Sequence, residues 1–279
     1  MAILDIQFFS HCLLRDVRVK AIVPVDKFDI FGASVGTDKP FKTLYLLHGI
    51  YGNENSWFSE SRISKFASDK DLVVIMPAGE NKFYVNNPNG CERYGEFIGK
   101  ELVEITRKMF KLSEKREDTF IAGLSMGGYG AMHNGLKYCD TFGYIATLSA
   151  ALIVDEEIVN SDDSAPVFTF CRKYYESIFG DLDKVLGSEL DTYAQIDNAV
   201  KDGVNLPQIY MCIGTEDFLY SKNIAFRDYL VKLGVEVTFE EFSGIHDWDF
   251  WDSHIQDVLN WLPLEDGIAG VGDGNVIKQ

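Results

Sequence analysis

The chain predicts an α/β fold: a mostly parallel central sheet with helices on both faces, entered through an antiparallel N-terminal hairpin. Three observations predict it. Residues 43–47, 72–76 and 208–213 are near-continuous apolar runs, the pattern of strands covered on both faces by helices. Segments of helical spacing lie between such runs, most clearly 93–110, where Tyr94, Phe97, Ile98, Leu102, Ile105 and Met109 form one stripe. The length, 279 residues, suffices for one large domain with a full hydrophobic core.

Taken in order, 8–14 and 17–23 are β-rich runs parted by Arg15-Asp16, which reads as the hairpin. Residues 24–42 are a polar connection marked by Gly and Pro. After the strand at 43–47, the stretch 59–68 suits a crossover helix leading to the strand at 72–76. The helix at 93–110 then leads to a short apolar strand at 119–122, and 126–137, free of proline and rich in small residues, reads as a helix tucked against the sheet. A strand follows at 144–149. Residues 150–203 break the alternation with mixed aromatic, acidic and helical pieces, expected as a cap inserted over the C-terminal edge of the sheet. Regular order resumes with the strand at 208–213, a helix at 221–233, a strand at 236–242 and a helix at 248–262 that Pro263 ends. The expected division is an α/β domain over 1–264, with a cap insertion at about 150–203, and a tail over 265–279 that holds four glycines and little that could pack.

Composition narrows the partners. The net charge of −17 repels phosphate backbones and anionic lipid, which counts against nucleic-acid and membrane partners. No run of 18 apolar residues exists, so no membrane span is expected, and the first residues show no basic region followed by an apolar one. Five cysteines without a C-x-x-C pair argue for reduced thiols and a cytoplasmic setting, not for disulfides or a zinc site. The sequence leaves self-association into a homo-oligomer open.

The chemistry centres on Gly123-Leu124-Ser125-Met126-Gly127, a G-x-S-x-G pentapeptide between the strand at 119–122 and the helix at 126–137. The serine must sit on a sharp strand-to-helix turn that holds its Oγ clear of the backbone. Its neighbours two residues away then approach each other so closely that only hydrogen side chains fit. A serine nucleophile needs a base, and the base an orienting acid, in the chain order Ser, acid, His. His11 and His48 precede the serine, His133 lies eight residues along its helix, and His254 is inside the last helix. His246 alone follows a strand and opens a loop at the sheet edge where the serine emerges. For the acid, Glu216 and Asp217 both lie just past the strand at 208–213, where ligands collect in open α/β sheets. Asp217 is preferred because the loop after Gly214 gives it room to turn inward, and Glu216 would then be a solvated charge. An oxyanion hole needs two backbone N–H donors: Met126, after the nucleophile, and Ile50, in the loop His48-Gly49-Ile50-Tyr51-Gly52.

Four blocks carry a family resemblance: 46–57 (Leu-Leu-His-Gly-Ile-Tyr-Gly-Asn-Glu-Asn-Ser-Trp), 119–130 around the pentapeptide, 214–220 (Gly-Thr-Glu-Asp-Phe-Leu-Tyr) and 244–248 (Gly-Ile-His-Asp-Trp). In this order they resemble the tributyrin-esterase branch of the esterase D/feruloyl esterase-like family, over about residues 8–262. The resemblance implies an α/β-hydrolase fold and hydrolysis of carboxylic esters, with acetyl or other short acyl groups favoured and hydroxycinnamoyl esters within range. It matches the family's nucleophile to Ser125, its acid to Asp217 and its base to His246, and implies neither metal nor organic cofactor. The expected partner is a small-molecule or carbohydrate-linked ester. Tyr51, Trp57 and Trp248 are the expected substrate-binding side chains. The five aromatics of the insertion, Phe168, Phe170, Tyr174, Tyr175 and Phe179, are either its own core or a wall of the pocket. Rival readings are an S-acylglutathione thioesterase, an acyltransferase on the same three residues, and a non-catalytic binding relative.

Overall fold

Eight strands make one sheet among the residues that the computed structural model describes, which are 1–29, 31–34 and 38–267. A hairpin comes first, with β1 (Ala2–Ser10) antiparallel to β2 (Arg15–Val23). β2 joins the sheet antiparallel to β4 (Val73–Pro77). The rest is parallel: β3 (Thr43–Leu47), β4, β5 (Thr119–Leu124), β6 (Tyr144–Leu148), β7 (Gln208–Gly214) and β8 (Val237–Phe242), in the spatial order β1-β2-β4-β3-β5-β6-β7-β8. The expected α/β sheet with its N-terminal hairpin is therefore present.

Two expectations need correction. The first strand starts at Ala2, not at residue 8, because Leu4, Ile6 and Phe8 alternate with outward Ile3, Asp5 and Gln7 and half-bury one face against the core. The crossover expected at 59–68 is two short helices, α1 (Ser56–Glu60) and α2 (Ile63–Asp69). The break falls at Arg62, whose N–H and guanidinium both reach the Asp252 carboxylate, at 2.7 and 2.8 Å.

The next helix is composite: α3 (Tyr94–Glu96), a π turn over Phe97–Glu101, and α4 (Leu102–Met109). The π turn delivers Glu101 to the β1–β2 corner, where its carboxylate accepts from Ser10 Oγ and from the N–H groups of His11 and Cys12. After β5 comes α5 (Met126–Lys137), fully buried along most of its length. Between β6 and β7 lie α6 (Glu156–Val159), α7 (Arg172–Phe179) and α8 (Thr192–Lys201). The fold closes with α9 (Tyr220–Lys232), β8 and α10 (Trp248–Trp261). One apolar cluster fills each face of the sheet: α5, α4 and α9 cover one, α2 and α10 the other. Of the glycine-rich tail, 265–267 are described. Gly267 N–H donates to the Asp69 carbonyl at 2.7 Å and Asp266 pairs with Lys70, so the chain runs back along α2. Residues 268–279 lie outside the described residues.

His133, on α5, is wholly buried, stacked flat on Tyr129, with Nδ1 3.2 Å from Gln195 Oε1. Burial, helped by the Lys137 charge, pushes its pKa down from 6.5 to about 4. Between those pH values the unfolded chain binds a proton at this residue and the folded chain does not, so stability falls as the pH drops through that window. From pH 7 to pH 5 the loss at this one residue is about 2 kcal/mol. Urea unfolding at both pH values is expected to show a loss smaller by that amount in His133→Phe, which keeps the ring stack. Equal losses in the two proteins would remove His133 from the acid sensitivity.

Candidate active site

The strand register brings five strand ends to one edge. Leu47 lies opposite Gly123, Leu124 opposite Leu148, Leu148 opposite Cys212 and Gly214 opposite Phe242. The loops after β3, β5, β6, β7 and β8 therefore open side by side, where an open α/β sheet gathers its ligands.

Ser125 sits on the turn from β5 into α5 with φ 52° and ψ −119°, a backbone state that L-residues rarely adopt. The turn is held by Ser125 N–H to the Leu148 carbonyl and by Ala151 N–H to the Ser125 carbonyl, at 3.0 and 2.9 Å. A Cβ on Gly123 would overlap the Gly127 carbonyl, and one on Gly127 would come within 2.6 Å of the His48 carbonyl oxygen. Both glycines are thus sterically required.

Asp217 follows β7 and is 4% exposed. Its Oδ1 accepts Leu219 N–H at 2.8 Å and its Oδ2 lies 2.8 Å from His246 Nδ1. A carboxylate can only accept, so Nδ1 carries the proton. Nε2 is then free to accept from Ser125 Oγ, 3.0 Å away. Burial alone would raise the Asp217 pKa, but the hydrogen bonds from His246 and from Leu219 N–H outweigh it and hold the carboxyl below its ordinary range. The imidazole of His246 is packed edge-on against Trp251 and lies 4.6 Å from the exposed ring of Phe218.

Glu216 is exposed, yet it is not a merely solvated charge as expected. Its Oε2 accepts Gly244 N–H at 2.6 Å, and its own N–H donates to the Gly244 carbonyl. It ties the β7 loop to the loop that carries His246.

The loop after β3 forms a turn closed by Gly52 N–H to the Gly49 carbonyl, with Ile50 and Tyr51 at its centre. Tyr51 has φ +66°, and its N–H is held by Asn81 Oδ1 at 2.8 Å. Behind the turn, Gly79 N–H donates to His48 Nε2, so the ring proton is on Nδ1 and points to the Gly49 carbonyl at 2.7 Å. Burial lowers the His48 pKa, favouring this neutral form. Tyr84 Oη donates to the His48 carbonyl at 3.0 Å. Ile50 lines the cleft beside Met126, whose N–H opens α5 and has no acceptor within the helix.

These groups share a cleft of about 1250 Å³. Tyr51 and Trp248 line it. Trp57 does not: it is buried, donates its indole N–H to the Leu47 carbonyl at 2.9 Å and packs edge-on against Trp248. Its place is behind the wall because its one polar atom finds a backbone acceptor inside. The aromatics of residues 168–179 divide. Phe179 is core against Phe83 and Tyr129, and Tyr174 Oη donates to the Asn81 carbonyl, whereas Phe170 and Tyr175 line the cleft. Thr169 Oγ1 meets Tyr51 Oη at 2.6 Å, joining the segment between β6 and β7 to the turn after β3.

Sequence reasoning missed Asn81, Tyr84, Phe218 and Ser149. Asn81 braces the turn through a side chain in a loop whose only signal is that it follows a strand end at the same edge. Ser149, with φ +49°, accepts from Trp251 Nε1 at 3.2 Å and is among the groups that lower the Asp217 pKa.

The family model described as "Putative esterase" matches residues 34–262, most of the chain. The chain belongs to this esterase family. An acetyl esterase from Caldicellulosiruptor saccharolyticus is 41% identical over 263 residues, covering 94% of this chain and 98% of the relative. Among solved structures, the fluorophosphonate-binding serine hydrolase F of Staphylococcus aureus superposes with a TM-score of 0.82 at 33% identity, and an S-formylglutathione hydrolase of the same organism with 0.80 at 32%. Each pairing covers 94% of this esterase and 98% of the other chain.

Proposed function

We propose that this serine carboxylesterase hydrolyses short-chain acyl esters, acetyl-like before hydroxycinnamoyl, with Ser125 as nucleophile, His246 as base and Asp217 as orienting acid. The observation that carries the reading is the unbroken hydrogen-bond chain Ser125 Oγ, His246 Nε2, His246 Nδ1, Asp217 Oδ2 on a strained strand-to-helix turn. Ser125 Oγ attacks the ester carbonyl as His246 takes its proton. The tetrahedral oxyanion is held by the N–H groups of Ile50 and Met126, which are fixed before the substrate arrives and so cost no reorganisation. His246 returns the proton to the leaving alcohol, and water repeats the sequence on the acyl-enzyme. The 41% identical acetyl esterase supports short acyl groups, and the alcohol proposed is a small molecule or a carbohydrate. Residues 1–264 form the hydrolase domain, with 150–203 as its cap. Five free cysteines favour a cytoplasmic setting, and among the described residues no helix is long and apolar enough to cross a membrane.

A panel of 4-nitrophenyl esters of rising chain length, with methyl ferulate and acetylated xylan, tests the substrate class. Acetyl and butyryl esters are expected to lead, and a maximum at long acyl chains would overturn the assignment. Each buried methylene contributes roughly 0.8 kcal/mol. Phe170→Ala and Tyr175→Ala, at the cleft wall, are therefore expected to shift the butyryl-to-acetyl ratio several-fold. Phe179→Ala, in the core, is expected to lose ~3–5 kcal/mol of stability with the ratio intact.

A further inference from the structure

The charges around the cleft are one-sided. Glu60 at the end of α1, Glu157 on α6 and Asp162 in the loop that follows contribute to its lining. Asp162 accepts from Ser164 N–H and Oγ, which hold its pKa below the ordinary carboxylate range. Among the described lining residues Lys222 is the one cation, and its ammonium is taken by two carboxylates, Asp155 and Glu157, the latter at 2.6 Å. One positive charge bound by two negative ones leaves that wall negative. Beside His246, where a leaving group departs, the exposed surface is the ring of Phe218, with Phe170 also exposed in the lining. A carboxylate on the leaving group would meet apolar rings and like charge, with no unpaired cation in the described lining to receive it.

We infer that the cleft selects leaving groups by charge, favouring esters and thioesters whose alcohol or thiol carries no negative charge and disfavouring anionic ones such as glutathione. The inference rests on the esterase reading and gives it a substrate class. A cleft lined by one sign of charge focuses the field, and the effect on association reaches tenfold or more at low ionic strength. At about 0.01 M salt the screening length is about 30 Å, against about 3 Å at 1 M, so the selection must fade with salt.

Three acetyl thioesters separate charge from chemistry: S-acetylglutathione, net negative; S-acetyl-N-acetylcysteamine, neutral; and acetylthiocholine, positive. Each kcat/KM, followed by thiol release, is divided by the substrate's own hydroxide-catalysed rate. At low salt the glutathione ester is expected ~10-fold below the neutral one, with acetylthiocholine at or above it. At ~1 M salt the three are expected to converge to within ~2–3-fold. The double variant Glu60→Gln/Asp162→Asn is expected to raise the glutathione-to-neutral ratio several-fold at low salt. A ratio near one at low salt, a ratio flat with salt, or a ratio unmoved by the double variant would overturn the inference while hydrolysis of the neutral ester upheld the esterase reading. No turnover of any of the three, nor of 4-nitrophenyl acetate, would overturn that reading and the inference with it.

Discussion

Ser125→Ala is expected to lower turnover on every active ester by at least ~10³-fold while leaving the fold intact. The strained turn is built from backbone hydrogen bonds and from the close approach of Gly123 to Gly127, and neither uses the hydroxyl. Alanine has the same Cβ, so it adds no clash and opens no core cavity. What disappears is the one atom that His246 Nε2 addresses, at 3.0 Å. Two measurements check this. The melting temperature of the variant should stay within a few degrees of the parent. A fluorophosphonate probe should label Ser125 in the parent and nothing in the variant. Labelling at another serine, or near-normal turnover by the variant, would sink the nucleophile assignment.

Much of the candidate site's geometry was legible in the sequence, and the reason is local. The turn at Ser125 is a steric problem solved within five residues, so its solution is written in contiguous sequence. The strand ends carrying Asp217 and His246 could be found because parallel strands align their C-terminal ends at one edge, whatever lies between them. Asn81, Tyr84 and Ser149 act through pairings across 30 to 102 residues, and none belongs to a contiguous motif. Trp57 shows the opposite failure. A tryptophan in a block near the cleft reads as a ligand wall, but its indole N–H had an acceptor at Leu47, and only the packing reveals which side of the wall it occupies. The aromatics of residues 168–179 divided for a related reason. Residues 168–179 join a 3₁₀ turn over 168–170 to a short helix through an extended Cys171, so neighbours in sequence point to different environments.

Glu216 and Asp217 are adjacent carboxylates that do different work, and exchanging each for its amide is expected to separate them by orders of magnitude. Asp217 Oδ2 accepts the Nδ1 proton of His246 and Oδ1 accepts Leu219 N–H, and the carboxylate itself is buried. In Asp217→Asn the oxygen can stay with Leu219 while the amide NH₂ faces Nδ1. The ring is then stable only with its proton on Nε2, where it can no longer accept from Ser125. The charge that stabilises the developing imidazolium is lost in the same step. The expected fall in kcat is ~10³–10⁴-fold, with KM little changed. Glu216→Gln keeps an amide oxygen for Gly244 N–H, and the exposed side chain never faces the imidazole. Its expected cost is less than tenfold, arising from a looser tie between the two loops. The Asp217 pKa is depressed, so its contribution to stability is present above the unfolded-state value and lost as the pH falls through the folded one. Asp217→Asn is accordingly expected to flatten the acid limb of the unfolding profile, a change that Glu216→Gln should largely spare. Should Glu216→Gln prove the more damaging in kcat, the acid of the triad is Glu216, and the loop after β7 must turn over in solution to present it.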